Sequence, residues 1–317
     1  MASEFELIRR HFSRATPGAV LGGGDDCALL APRPGHELAV TSDMLVAGTH
    51  FYADTNPADL GWKTLAVNLS DLAAMGAVPR WVLLAMSLPE ADETWLAAFA
   101  AGFYACASAY GVDLVGGDTT RGPLSFSVTA LGETRPGAAL RRDGGRAGDD
   151  IWVSGRPGLA GLGLAQLQGK VELPEPWRRL CLAALHKPRP RLALGQALTG
   201  IATSAIDVSD GLLADLGHIG ERSGLAAQVD LVRLPHLPPG VDRALALHCQ
   251  LAGGDDYELC FTASPAAQLA IGAIAAQLEL PLWCIGSLVE GTPGSVSLLD
   301  PDGKPVDIDT RGFDHFG

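Results

Sequence analysis

Apolar positions along this chain follow two spacings, one helical and one extended. Phe5, Ile8 and Phe12 recur at helical intervals behind Ser3 and Glu6, whose spacing makes a capping box, so the chain is expected to open on a helix. Leu65, Leu69 and Leu72 mark one face of a helix over Asp59–Met75, closed by Gly76 and then Pro79. Asp92–Tyr110 reads as a further helix. Between these lie short apolar runs read as strands. Leu38–Thr41 is expected to be buried and to deliver Thr41-Ser42-Asp43 at its end. Trp81–Leu88 and Leu124–Glu133 are two more, and Val112–Val115 is expected to end in Gly116-Gly117-Asp118.

Composition shifts over Arg135–Asp150, where Arg141, Arg142 and Arg146 stand among Gly, Pro and Asp. This segment reads as a connection between two domains, 1–137 and 138–317. The second half resumes with a strand at Ile151–Ser154 and a glycine loop, Gly155–Gly163, running into a helix. A strand at Ala205–Val208 precedes a helix expected to be capped by Asp210 and lined by Leu212, Leu216 and Ile219. Leu234–Gly240 is a proline-rich loop. Strands interleaved with helices in both halves indicate α/β or α+β layers. The halves do not match closely enough to form a repeat.

Composition sharpens this picture. The 317 residues are 47% hydrophobic, enough for a large core, and that length favours two domains. A net charge of −13 argues against nucleic acid or an anionic membrane as the main partner. It also sets a problem for any phosphate chemistry, because the only lysines are Lys63, Lys170, Lys187 and Lys304. Divalent cations and a few arginines must then supply most of the positive charge. The six cysteines show no C-x-x-C spacing and stand beside apolar residues, which reads as buried, reduced thiols. The opening residues are too polar for a secretory signal, and the uncharged stretch around Trp95–Tyr110 is shorter than a membrane span. A soluble, cytoplasmic chain is expected.

The chemistry-bearing pattern is a recurrence of aspartates beside glycine or hydroxyl residues: Asp25-Asp26, Asp43, Asp71, Asp118, Asp207 and Asp210, with Asp255-Asp256 later. Carboxylates gathered at loop ends repel one another unless cations lie between them, and magnesium prefers oxygen ligands and bridges to phosphates. Any one of these aspartates could instead be an ordinary turn or cap residue. Asp71 is harder to dismiss, because it lies mid-helix among apolar neighbours, with Asn68 one turn earlier on the same face. No Walker loop is present, since the two Gly-Lys pairs continue as Val171 and Pro305. The Gly155–Gly163 loop misses the register of a dinucleotide fingerprint.

The segments GGGDDCALL, VTSDMLVAGTHF, KTLAVNLSDLAAMGA, LVGGDTTRGPLS, SAIDVSDGLLADLGHI, GGDDYELCF and the terminal GFDHF resemble the thiamine-monophosphate kinases, a family of the aminoimidazole ribonucleotide synthetase superfamily. The resemblance runs from Phe5 to Phe316. It implies a two-domain fold with an N-terminal α/β domain that dimerises through its sheet and a C-terminal α+β domain. It implies transfer of a phosphate from ATP to thiamine monophosphate with several Mg2+ ions. By position, magnesium would be held by Asp26, Thr41, Ser42, Asp43, Asp71, Asp118, Asp207 and Asp210. ATP would meet Gly117, Asp118, Arg142 and Ser209, and thiamine monophosphate would meet His50, Glu258 and Phe313. Two departures are visible: the family's Ser-Thr-Asp is Thr41-Ser42-Asp43, and its Gly-Gly-Glu-Asp-Tyr-Glu-Leu carries Asp255. From the residues alone, Glu258 could equally alternate outward to solvent on a strand, His50 could be a packed loop histidine, and Phe313 could tether the tail.

Sibling families set the contrast. Selenophosphate synthetases carry a reactive Cys or selenocysteine near the start, where this chain offers only Cys27 after the aspartates. The hydrogenase-maturation relative ends in cysteine, whereas this chain ends His315-Phe316-Gly317. A non-catalytic metal or nucleotide sensor is the alternative of another class.

Overall fold

The computed structural model describes residues 4–306. Ser3 and Phe313, and with them the opening capping box and the terminal Gly-Phe-Asp-His-Phe motif, lie outside the described residues. The chain divides into two compact units, one of residues up to Leu72 with Ala77–Gly137, the other of Ala73–Gly76 with the residues from Ala138 on.

In the first unit, helix α1 (Glu4–His11) is followed by strand β1 (Glu37–Val46), helix α2 (Pro57–Ala74), strand β2 (Val78–Leu88), helix α3 (Glu93–Tyr110), strand β3 (Asp113–Arg121) and strand β4 (Ser125–Thr134). The sheet runs β1-β4-β2-β3; β4 is antiparallel to both neighbours, and β2 and β3, joined through α3, are parallel. Helix α3 begins where the Asp92 carboxylate accepts from the amides of Thr94 and Trp95, and ends at Gly111 in the left-handed conformation. Helix α2 buries Leu65, Leu69 and Leu72, and also Val67, Asn68 and Ser70, so little of it meets solvent.

Two strands run further than the apolar pattern predicts. β1 continues through Thr41-Ser42-Asp43 to Val46, and Leu38 is 44% exposed instead of buried. Its alternate residues Leu38, Val40 and Met44 belong to an open sheet face shared with Leu83 of β2, while Leu45 is buried. A strand with one open face leaves no continuous apolar run to read. β3 likewise passes through Gly116-Gly117-Asp118 to Arg121, because its ladder to Leu83–Leu88 of β2 is made by main-chain groups whatever the side chains.

The helices of this unit meet closely. A β-carbon on Gly61 of α2 would lie 2.0 Å from the carbonyl oxygen of Phe99, and one on Gly102 of α3 would lie 1.8 Å from that of Ala58. Only glycine fits at either position, and the contact fixes where α2, the helix carrying Asp71, lies over the sheet.

In the second unit, strand β5 (Asp150–Ser154) is followed by helices α4 (Leu159–Leu167), α5 (Trp177–His186) and α6 (Leu192–Leu198), strand β6 (Ser204–Asp207), helix α7 (Leu212–Ser223) and strand β7 (Ala226–Asp230). Helix α8 (Arg243–Ala252), strand β8 (Leu259–Ala263), helix α9 (Gln268–Leu278) and strands β9 (Leu282–Val289), β10 (Val296–Leu299) and β11 (Pro305–Val306) complete it. The sheet order is β11-β10-β7-β9-β5-β8-β6, with β10 and β7 its parallel pair. Its core joins Ile151, Val153, Ile206, Cys260 and Ile285 of the strands to Leu212, Leu216 and Ile219 of α7. The N-cap of α7 is Gly211, at φ 122°, and not Asp210 as the sequence suggests. The six cysteines are free, but Cys27 is exposed and Cys284 half-buried, so the expectation of burial holds only for Cys106, Cys181, Cys249 and Cys260. Among the described residues no helix is long and apolar enough to cross a membrane.

Gly61→Ala should destabilise the chain by about 3 kcal/mol, because backbone on both sides of the contact cannot yield. Denaturant unfolding of the full chain checks this; an unchanged midpoint would show that α2 and α3 can separate without cost.

Candidate active site

In the first unit, the candidate side chains that come together are carried by β1 and α2. Asp71, mid-helix as expected, receives a hydrogen bond from the Thr41 hydroxyl. One turn earlier, Asn68 accepts from the Asp43 amide at 2.9 Å and donates to the Thr64 carbonyl at 3.2 Å. Both ends of the Asn68 amide are thereby assigned, and Asp43 is held by its main chain. Thr41, Asp43, Asn68 and Asp71 thus form one group of oxygen-bearing residues across the strand–helix contact. Ser42 lies elsewhere: its hydroxyl donates to the Val128 carbonyl at 3.1 Å and lies 3.2 Å from the Thr129 hydroxyl.

The remaining candidates of this unit stand apart from that group. Asp118 is exposed, accepts from the Thr119 amide at 2.9 Å and shares a sheet row with Ala85, Ser127 and Met44. The neighbouring row holds Asp43, Val128, Leu84 and Gly117. Asp26 is exposed on a loop closed by main-chain bonds between Leu21 and Leu29, with the Asp25 carboxylate accepting from its amide. Gly23 brings that loop against Val115 of β3. His50 closes the turn after β1, its Nδ1 accepting from the Val46 amide at 3.0 Å, which leaves the ring proton on Nε2 in the neutral form.

In the second unit, Asp207 is buried at the end of β6. The loop after it is bound to the segment before β8: Asp255 donates its amide to the Ser209 carbonyl at 2.7 Å, and Tyr257 its amide to that of Val208 at 2.8 Å. Beneath the loop lies Asp215 of α7, whose Oδ2 accepts from the amides of Ser209, Asp210 and Gly211 at 3.0, 3.1 and 3.2 Å. Burial, with the neighbouring Asp210 charge, pushes the Asp215 carboxyl up to about 7. Asp256 is likewise buried and accepts from the amides of Gly158 and Ala160 at the start of α4; burial raises its carboxyl well above the usual range.

Glu258 is not the outward-facing strand residue that alternation allows. It precedes β8, is buried, and forms a two-pronged ion pair with Arg191 while accepting from the Ser154 hydroxyl at 2.5 Å. Gly155 makes room for it, since a β-carbon there would lie 1.9 Å from the carboxylate. Arg142 is exposed, and its carbonyl accepts from Ser223 at 2.9 Å. Sequence reasoning missed Asp215, Asp256, Ser154 and Arg191 as supports. Asp215 reads as a routine acidic residue in a helix's first turn, and Arg191 as part of a proline-rich connection.

Among the described residues no three His, Cys, Asp or Glu side chains converge to make a metal centre by themselves. The Thr41, Asp43, Asn68 and Asp71 group nevertheless offers only oxygen donors, two of them carboxylates. That suits magnesium, which takes one or two carboxylates and completes its shell with water and phosphate oxygens.

Residues 24–134 match the family described as AIR synthase related protein, N-terminal domain. Over 99% of its length the chain is 47% identical to the thiamine-monophosphate kinase of Salmonella typhimurium, covering 98% of that protein. The chain belongs to the thiamine-monophosphate kinase family. The crystal structure of the thiamine-monophosphate kinase from Stenotrophomonas maltophilia superposes with a TM-score of 0.84 at 48% identity, covering 95% of each chain. AaThiL complexed with AMPPCP and TMP superposes at 0.77 and 29% identity, covering 98% of this chain and 96% of its own. The two-sheet architecture is that of the aminoimidazole ribonucleotide synthetase-like fold, as expected for a thiamine-monophosphate kinase.

Arg191→Met strips the cation from the buried Glu258 carboxylate and should destabilise the chain by about 3 kcal/mol. Arg191→Lys should recover part of that loss. Equal unfolding midpoints for wild type and Arg191→Met would mean that Glu258 needs no partner.

Proposed function

We propose that this chain transfers the γ-phosphoryl group of ATP to thiamine monophosphate, forming thiamine diphosphate and ADP. The observation that carries this is 47% identity to a thiamine-monophosphate kinase over 99% of the chain. The full-length likeness to AaThiL complexed with AMPPCP, an ATP analogue, and TMP supports it.

The residue assignments follow from the same reading. Asp26, Thr41, Ser42, Asp43, Asp71, Asp118, Asp207 and Asp210 hold magnesium; Ser42, its hydroxyl engaged with β4, contributes through its main chain. Gly117, Asp118, Arg142 and Ser209 contact ATP, and Arg142 brings a fixed positive charge to the phosphates. His50 and Glu258 contact thiamine monophosphate on this reading, and Arg191 and Ser154 hold the Glu258 carboxylate. Phe313, assigned to the same substrate, lies outside the described residues. Bound magnesium would neutralise phosphate oxygens that an acidic protein otherwise repels. A phosphate monoester has its second pKa near 6, so the acceptor oxygen is already largely anionic at neutral pH. No side chain has to act as base, and the phosphoryl group passes directly to the acceptor.

The enzyme works as a cytoplasmic homodimer on this reading. The open face of the first sheet, with Val40 60% and Met44 58% exposed beside Leu38 and Leu83, supports pairing with a second copy.

A coupled assay for ADP release tests the function. ADP should appear only when thiamine monophosphate and magnesium are both present, with one thiamine diphosphate formed per ADP. Chain mixed with γ-labelled ATP alone and quenched in acid should carry no label. ADP formation indifferent to thiamine monophosphate would contradict the substrate, and stoichiometric label on the protein would contradict direct transfer.

A further inference from the structure

The turn between β6 and α7 has the form of an anion site. Three consecutive amides, of Ser209, Asp210 and Gly211, converge ahead of a 12-residue helix, and such converging amides at a helix N-terminus ordinarily bind phosphate. Here the position is filled from within. A single oxygen, Oδ2 of Asp215, accepts from all three amides, and Asp215 is 2% exposed. The amides are therefore committed to the protein's own carboxylate, and a nucleotide phosphate has no main-chain cradle on this turn.

The turn is also gripped from its other side. The Ser209 carbonyl accepts from the Asp255 amide, and a β-carbon on Gly254 would lie 2.6 Å from that carbonyl. Gly211 packs against Ala252, where a β-carbon would lie 2.8 Å from its Cα. With carbonyl and amides both engaged, the turn is held from both sides, and the side chains of Ser209 and Asp210 remain to meet a ligand. Both are half-buried, unlike Asp207 and Asp215 on either side.

We infer that Asp215 is a positioning residue for the ATP side of the reaction: its carboxylate takes the place of a phosphate at the start of α7 and holds Ser209 and Asp210 in their working arrangement. This rests on the assignment of Ser209 to ATP and Asp210 to magnesium. Asp215 touches neither substrate. Its effect reaches ATP only through the turn.

Three variants of the full chain, Asp215→Ala, Asp215→Asn and Ser209→Ala, test this by steady-state kinetics with each substrate varied in turn. In Asp215→Ala the amides lose their acceptor, and KM for ATP should rise about tenfold, the loss usual for a removed supporting partner. KM for thiamine monophosphate should stay within about twofold, because a selective rise marks a local and not a general defect. Asp215→Asn keeps a carbonyl oxygen for the same amides, so it should fold and hold KM for ATP within about threefold of wild type. If Asp215→Ala does not fold, Asp215→Ser, whose hydroxyl is too short to reach the three amides, replaces it under the same criterion: KM for ATP should rise about tenfold, and a folded Ser variant with normal KM for ATP would overturn the inference. A folded Asp215→Ala with normal KM for ATP, beside a Ser209→Ala that raises it, would overturn the inference and leave the assignment of Ser209 standing. No change in either Ala variant would instead remove Ser209 from the ATP site, and the positioning role with it.

Discussion

The contact from the Thr41 hydroxyl to Asp71 sets the terms for the first unit. It requires a helix to carry a carboxylate where apolar side chains would pack better, and a strand to offer a hydroxyl at the matching height. Asn68 repeats the device one turn away, accepting from the main chain of Asp43. Neither arrangement helps the fold as much as leucine would in the same place, since taking polar groups partly out of water costs hydration that hydrogen bonds only offset. What the arrangement supplies is a group of oxygens held at fixed positions, and the close seating of Gly61 and Gly102 keeps the helix that carries them in register.

The second unit handles its carboxylates differently. Asp215 and Asp256 are buried against main-chain amides at the starts of two helices, and both titrate well above ordinary aspartates because burial outweighs those hydrogen bonds. Glu258 is answered by a guanidinium instead. These three residues brace the loops after β6, after β5 and before β8, the loops that carry Ser209, Asp210 and Glu258. In an acidic chain of net charge −13, many carboxylates near one another are tolerable only where each has its own donor or a cation.

The legible parts of the sequence were those where one physical demand acts alone. Asp92 and Gly111 bracket a helix with local signals, and Leu65, Leu69 and Leu72 mark a buried face, so both helices were readable. Asp71 was legible as an anomaly, a poor helix former among apolar neighbours. The extent of β1 and β3 was not, because polar residues and glycines break the apolar pattern while main-chain ladders carry the strands onward. Asp215 and Arg191 escaped notice because their partners are distant loops or main-chain amides, which no spacing in the sequence announces. The substrate assignments came from resemblance: nothing in the local pattern distinguishes Glu258 from a solvent-facing strand residue.

On the proposed function, oxygens presented by β1 and α2 hold a cation for phosphoryl transfer. Mn2+, which favours the same carboxylate and oxygen ligands and is visible to electron paramagnetic resonance, reports this directly. Titrating Mn2+ into the full chain with AMPPCP, for wild type and Asp71→Asn, counts the bound ions and their affinities. The variant, still folded, should lose one ion or bind it at least about tenfold more weakly. The same number of ions bound with the same affinities would contradict it.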